Sequence, residues 1–302
     1  MLKVAFFTEA GSKRGFGHLI RSYTIFEEFK HFDATFFLDS DINFDDKFQN
    51  LHYFSWSKFT IDTQYDIVLI DSYEADLEIY KRVHKHTKVL ISIDDFKRLE
   101  YPQGLIINFA PDAEKLYYST KKYNYKYLLG LNYIPIRKAF KELEVKKKEQ
   151  LFIMLGGTDI KNLTLDIVKN LQEINLNIVV VHNDLKTVEQ LKQMKHITVL
   201  YKPKDIMLIK TMKESSFAIT TASMSAYELS YLKTPTLIVE VAENQKNGSE
   251  QLLKHKIITY ILDKPTEAKL YIEKMRANKC KFTDKIDGLG TKRIYKEVME
   301  LL

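Results

Sequence analysis

Four short segments carry residue types that could do chemistry. The first is Gly15-Phe16-Gly17-His18, with Arg21 close behind. Glycines between a strand and a helix let backbone N–H groups approach an anion, and a helix N-terminus favours negative charge. A neutral imidazole there could take a proton from water. A histidine that caps the helix or packs in the core would look the same. The third glycine of a dinucleotide fingerprint is missing at Leu19 and Ile20, so an NAD site is not expected. The second segment is Gly156-Gly157-Thr158-Asp159, followed by Asn162 and Thr164. It suits a phosphate cradle, or an ordinary strand-to-helix turn. The third is Ser223-Met224-Ser225 with Glu228. A carboxylate one turn into a helix can accept both hydroxyls of a ribose, but Ser225 and Glu228 also have capping-box spacing.

The fourth group is acidic. Asp39-Ser40-Asp41 has the DxD form by which many sugar transferases hold a metal, and Asp94-Asp95 ends an apolar run. Neither has histidine or further carboxylates in register, so no metal site is expected, and the DxD reads as a solvated loop.

These segments need elements to hold them. Apolar runs at 3–8, 34–38, 67–70, 89–93 and 105–108 are short and almost continuous, as in strands covered on both faces. Helical periodicity follows at 18–30 and 75–86. After a charged stretch at 138–150, a candidate linker, the rhythm restarts. Strands are expected at 151–155, 178–182, 197–200, 218–221, 236–241 and 257–262, with helices at 164–173, 185–194 and 224–232. A last helix is expected at 291–302. Strand–helix alternation of this kind predicts two doubly wound parallel-sheet (Rossmann-like) lobes with a cleft between them, 1–147 and 148–302, the last helix packing back on the first lobe.

Composition narrows the function classes. The chain has 302 residues and a net charge of +6, from 46 Lys+Arg against 40 Asp+Glu. That excess suits an anionic small molecule and gives little support for a nucleic-acid partner. The single cysteine, Cys280, cannot form an intrachain disulfide and fits a reducing cytoplasm. The opening residues carry too short an apolar stretch for a signal peptide, and no apolar run is long enough to insert in a membrane.

Taken in order, these motifs resemble the PseG-type UDP-sugar hydrolases of pseudaminic acid biosynthesis, which are similar to the MurG-like branch of the GT-B glycosyltransferases. Gly15-Phe16-Gly17-His18 with Arg21, Asp71-Ser72-Tyr73, Ile93-Asp94-Asp95 and Asn108 follow the first-half pattern. Leu129-Gly130-Leu131-Asn132-Tyr133 with Arg137 and Phe140 matches the segment before the junction. Gly156 to Asp159, Ser225 to Glu228, Pro235, Asn244-Gln245 and Asp287-Gly288 with Gly290 and Arg293 follow the second half. The chain departs from that family at three places: Phe7-Thr8-Glu9 stands for an Arg-x-Asp run, Ser72 for a histidine, and Met224-Ser225 for a Ser-Thr pair.

The resemblance implies a GT-B-like fold and hydrolysis of UDP-2,4-diacetamido-2,4,6-trideoxy-β-L-altrose to UDP and free sugar. Cleavage would be at C1–O, inverting, with no metal and no cofactor. It implies His18 as base, Glu228 on ribose, and Gly156, Gly157 and Thr158 on the diphosphate. Asn244 and Gln245 would reach the sugar and β-phosphate. Gly15, Gly17, Arg21, Ser223 and Ser225 complete the binding set. Asp94, Asp95, Tyr133 and Arg137 support it, with Asp94 or Asp95 orienting the histidine ring. Two alternatives stand beside this reading. One is a GT-B glycosyltransferase with an apolar acceptor patch at Phe44, Phe48, Leu51, Tyr53, Phe54, Trp56 and Phe59, residues that would serve equally as core. The other is a nucleotide-sugar-binding protein without catalysis.

Overall fold

The computed structural model describes residues 1–44, 48–156, 159, 161–240 and 246–302. Contacts divide the chain into two units, Met1–Ile136 with Lys285–Leu302, and Arg137–Asp284. The first unit contains β1 (Lys3–Ala10), α1 (Gly17–Phe26), β2 (Asp33–Ser40), β3 (Leu51–Tyr53), β4 (Tyr65–Asp71), α2 (Leu77–His84), β5 (Thr87–Ile93), β6 (Leu105–Asn108), α3 (Ala113–Leu116) and β7 (Lys126–Leu129). The second contains α4 (Ala139–Glu142), β8 (Lys148–Met154), α5 (Thr164–Asn170), β9 (Asn177–His182), α6 (Leu185–Lys192), β10 (Ile197–Tyr201), α7 (Asp205–Glu214), β11 (Ser215–Thr221), α8 (Met224–Tyr231), β12 (Thr236–Val239), α9 (Lys246–Lys254), β13 (Tyr260–Leu262) and α10 (Ala268–Ala277). The last helix, α11 (Gly290–Met299), returns to the first unit.

The first sheet runs β3-β2-β1-β4-β5-β6-β7 and the second β10-β9-β8-β11-β12-β13. The strand pairs in both are parallel. Strand order reverses between β1 and β4 in one unit and between β8 and β11 in the other. In doubly wound sheets ligands bind outside the carboxyl ends of the strands at that reversal.

Successive residues of β1 face opposite sides of the sheet, and both sides are aromatic. Phe6 meets Phe26 and Phe29 with ring centroids 5.3 and 5.6 Å apart, which seats α1. Phe7 stacks on Phe37 at 4.6 Å and meets Phe54 and Phe59 edge-on. Trp56 and Phe59 are buried in this core, and Phe44, also buried, packs against Phe16. The aromatic stretch from 44 to 59 is therefore mostly spent on packing, although Tyr53 remains exposed.

The division falls after Ile136, ahead of the charged stretch expected as linker. The reason is local. Arg137 is bonded to Glu228 and Asp205, and the Phe140 carbonyl accepts from Lys213, so this segment is tied into the second unit. The stretch itself forms α4 and the start of β8 rather than a bare linker. At the other end, α11 crosses the turn at Leu131–Tyr133. A Cβ on Gly290 would lie 2.2 Å from the Ile134 carbonyl oxygen, so only glycine permits the approach. Tyr133 is half-buried there, and Arg293 donates to the Asn132 carbonyl at 3.0 Å.

Candidate active site

In the first unit the chemistry gathers at the reversal between β1 and β4. Residues 18, 21 and 22 share one face of α1, by the three- and four-residue spacing of a helix. That face meets Asp71, the last residue of β4, whose backbone carbonyl accepts from Thr8 Oγ1 at 2.9 Å. His18 Nδ1 lies 2.6 Å from Asp71 Oδ1. Arg21 donates to both oxygens of Asp71, through Nε at 2.7 Å and Nη2 at 2.6 Å, and Ser22 Oγ adds a bond of 2.8 Å. Arg21 reaches on to Asp95 through Nη1 and Nη2, at 2.8 and 3.0 Å.

The arrangement fixes the histidine's tautomer. An ionised carboxylate only accepts, so Nδ1 carries a hydrogen, and in the neutral ring the lone pair is then on Nε2. The 3.0 Å approach of Arg21 Nη2 to His18 Nδ1 follows from both groups sharing Asp71 Oδ1. Burial works to raise the Asp71 carboxyl, but Arg21 and His18 outweigh it and hold the group well below its usual range. Asp95 moves the same way: burial opposes ionisation and Arg21 prevails. Tyr73, 48% exposed, sets its ring edge on His18 with centroids 4.5 Å apart and donates to Asp95 at 2.5 Å. Burial, and then the Asp95 charge, push its hydroxyl far above the ordinary range.

The orienting carboxylate is thus Asp71, not Asp94 or Asp95. Asp94 accepts from the backbone N–H groups of Lys97 and Arg98 and from the hydroxyls of Tyr101 and Tyr118. Its oxygens face inward to the loop after β5 because the chain turns there. Asp95 belongs to the site through Arg21. Asp71 has a signal in the sequence: it closes an apolar strand run with a charge.

Gly15 takes a left-handed φ of 71° and pairs with Gly11 across a tight hairpin, which delivers the chain to α1. Nothing lies within 4 Å of a Cβ built on Gly17, so open space adjoins the first turn of that helix. The DxD carboxylates hold the hairpin rather than lying free in a solvated loop. Asp39 accepts from Arg14 at 3.0 Å and from the Trp56 N–H at 2.8 Å, and Asp41 accepts from the Ser12 N–H and hydroxyl. No group of three or more His, Cys, Asp or Glu residues is placed to hold a metal among the described residues.

In the second unit the reversal lies between β8 and β11. Gly156, with φ 72°, turns the chain after β8, close to Thr221 Oγ1. Asp159 accepts from the N–H groups of Leu163 and Thr164 and so caps α5. Gly157, Thr158, Asn244 and Gln245 lie outside the described residues. After β11, Ser223 precedes α8 in extended conformation, its hydroxyl 3.4 Å from the Thr221 carbonyl, and Ser225 sits half-buried in the first turn. Glu228 does not turn back to cap the helix. Its two oxygens take Arg137 Nε and Nη2, each at 2.7 Å, while Arg137 Nη1 binds Asp205. Glu228 is 2% exposed, and burial, only partly offset by Arg137, holds its carboxyl above the usual range.

No protein-family model matches the chain. A Helicobacter pylori protein named pseudaminic acid cytidylyltransferase and UDP-2,4-diacetamido-2,4,6-trideoxy-β-L-altropyranose hydrolase is 30% identical over 187 residues, 60% of this chain and 35% of that protein. A Campylobacter jejuni protein named UDP-2,4-diacetamido-2,4,6-trideoxy-β-L-altropyranose hydrolase is 24% identical over 269 residues, 84% of this chain and 97% of that one. The chain spans about a third of the first of these relatives, whose name joins two activities. Among solved structures, the UDP-GlcNAc 2-epimerase of Methanocaldococcus jannaschii in complex with UDP-GlcNAc and UDP has a TM-score of 0.66 at 12% identity, covering 99% of this chain and 100% of that one. Acinetobacter baumannii MurG has a TM-score of 0.61 at 13% identity, covering 99% of each. Those two likenesses show the fold: two Rossmann-like lobes of the GT-B-like class. By sequence, the chain is similar to two proteins whose names include UDP-2,4-diacetamido-2,4,6-trideoxy-β-L-altropyranose hydrolase.

Proposed function

We propose that this chain hydrolyses a UDP-linked 2,4-diacetamido-2,4,6-trideoxy sugar, the β-L-altrose derivative, to UDP and the free sugar. The observation that carries the proposal is the His18–Asp71 pair, a buried carboxylate on Nδ1 that leaves Nε2 as the base. In the proposed step, water attacks C1 while Nε2 takes its proton. The C1–O bond breaks and its electron pair leaves with UDP. Attack opposite the leaving group inverts C1. Asp71 stabilises the imidazolium that forms, and Arg21 and Ser22 hold Asp71 in place.

The second unit supplies the nucleotide side. N–H groups at the Gly156 turn and at the start of α8 would stabilise charge on the departing diphosphate. Glu228 would bind the ribose hydroxyls, steadied by Arg137. Ser223 and Ser225 would reach phosphate oxygens, and Gly157, Thr158, Asn244 and Gln245 are proposed for the diphosphate and sugar on motif alone. No metal or cofactor enters this scheme. A cytoplasmic setting fits the single Cys280, and among the described residues no helix is long and apolar enough to cross a membrane.

The glycosyltransferase reading loses support because Phe44, Trp56 and Phe59 are buried. The test is incubation with a panel of UDP-sugars without acceptor, in H₂¹⁸O, for wild type and His18→Gln. UDP release with ¹⁸O at C1 of the sugar is expected. The variant should bind UDP but lose about 10²–10⁴-fold in kcat. Label in phosphate, turnover only with an acceptor, or a variant as fast as wild type would refute the hydrolase scheme.

A further inference from the structure

Glu9, the penultimate residue of β1, follows the Thr8 that pairs with Asp71 across the sheet, yet the scheme above gives it no role. It is 2% exposed. Trp56 Nε1 donates to Oε2 at 2.9 Å and the Ser72 hydroxyl donates to the same oxygen. The Tyr73 N–H donates to Oε1 at 2.8 Å, and the Glu74 N–H lies 3.4 Å from Oε2. The direction of the Ser72 bond is fixed. Ser72 Oγ already accepts from the N–H groups of Glu74 and Ala75, both at 2.9 Å, so its own hydrogen goes to Glu9.

Every group that faces this carboxylate is therefore a donor. Glu9 and Ser72 are also two of the places where the chain departs from the pattern of the hydrolases it resembles, and the structure joins them by a hydrogen bond. Through the Tyr73 N–H, Glu9 fixes the backbone directly after Asp71. Tyr73 in turn lays its ring edge on His18 and bonds Asp95. Trp56 adds a second tie, since its backbone N–H holds Asp39, which holds Arg14 of the hairpin before His18.

We infer that Glu9 is a positioning residue, which sets the Ser72-Tyr73-Glu74 turn and through it the placement of Tyr73 against His18. Its effect on rate rests on the functional reading above; its effect on the turn does not.

Glu9→Gln is the discriminating substitution. It keeps the shape, but an amide nitrogen at Oε2 would face two donors and at Oε1 another, so neither flip satisfies the site. Hydrogen exchange of peptides covering 72–76 should speed up, while peptides from the second unit stay at wild-type rates. kcat should fall about 10–100-fold, the scale of a small misplacement, with affinity for UDP unchanged. Trp56→Phe removes one donor, keeps a ring in the core, and should shift both readouts less in the same direction. It serves where Glu9→Gln does not fold. Phe59→Leu, in the same core without a hydrogen bond to Glu9, should leave exchange at 72–76 and kcat as they are. Wild-type exchange at 72–76 in the Glu9 and Trp56 variants would overturn the inference, as would Phe59→Leu matching their loss of kcat. A wild type that releases no UDP would sink the hydrolase reading instead, while exchange would still decide the role of Glu9 in the turn.

Discussion

Each unit buries an arginine against a carboxylate at the reversal of its sheet, and the two do opposite things to that carboxylate. Asp71 takes Arg21 on both oxygens, His18 on one and Ser22 on the other, and it is held well below the usual carboxylate range. Glu228 takes Arg137 on both oxygens, and burial holds it above that range. A carboxylate can accept about four hydrogen bonds. Asp71 has spent that capacity inside the unit, which suits a fixed orienting group. Glu228 has lone pairs to spare, which suits a group that still has hydroxyls to receive. The comparison predicts that damage to the first cluster costs rate and damage to the second costs affinity.

Asp71→Asn should show the largest effect. An amide offers His18 no ionic partner for the imidazolium and can present a donor to Nδ1, turning the tautomer. A loss of about 10²–10⁴-fold in kcat is expected, with UDP affinity kept. Arg21 keeps Asp95 but loses its buried partner, and breaking such a pair costs about 3–5 kcal/mol. Urea unfolding followed alongside kinetics separates the two costs. A variant with wild-type kcat would remove Asp71 from the dyad, whatever its stability.

Glu228→Ala comes next. Two charge-assisted hydrogen bonds to ribose are worth about 2–4 kcal/mol, roughly 30- to 1,000-fold in UDP affinity. Because that grip is equal in ground and transition states, kcat at saturation should hold and KM should rise. Calorimetry with UDP reads it directly. Unchanged affinity would mean that Glu228 serves only to pair Arg137, and the contrast between the two clusters would collapse into two structural ion pairs.

How far the sequence reaches can be seen in these same residues. Apolar runs located β1, β4, β5 and β6, because strands covered on both faces have few polar residues to blur them. The edge strands β3 and β7 do not stand out in the sequence; each is short, with no buried position in Leu51–Tyr53 and only one in Lys126–Leu129. His18 and Arg21 were legible from the glycine turn and helix spacing. Asp71 is marked as a charge closing an apolar run, but its pairing with His18 is not legible, because the two lie 53 residues apart and the β1–β4 pairing brings them together. Asp94 and Asp95 look alike in sequence, yet one faces a loop and the other an arginine. Alternation along the chain at a strand's end decides that, and it depends on the turn that follows. The charged stretch puts Arg137 with the first lobe, whereas its ion pairs set it in the second unit.

Acid should act on the two clusters with opposite signs. Asp71 and Asp95 have folded values below the ordinary 3.8, so their stabilisation is whole above that pH and is lost as pH falls through the lower folded values. Glu228 has a folded value above the ordinary 4.5. Between those two values the folded state binds a proton that the unfolded chain does not, and stability falls as pH rises. Urea unfolding of wild type and Glu228→Gln from pH 3 to 7 tests this: the variant should lack the falling limb above pH 4.5. A wild-type curve without that limb would mean that Arg137 offsets the burial of Glu228 and keeps it from rising above 4.5.

The smallest expected effect is none at all. If both clusters work with protein groups alone, chelation should leave turnover unchanged. Asp39 and Asp41, which have the form of a metal motif, are occupied by Arg14, the Trp56 N–H and Ser12, and they pin the hairpin that leads to His18. Asp41 is drawn below its usual range by its bonds to Ser12, as a committed acceptor should be. A cation there would have to compete with those donors and would sit at the hairpin rather than on Asp71. Turnover is therefore measured with EDTA and after adding back Mg²⁺ or Mn²⁺. Loss followed by restoration would reassign Asp39 and Asp41 to a metal. The first unit's contribution would then be a cation as well as a histidine base, and the contrast with Glu228 would have to be redrawn around it.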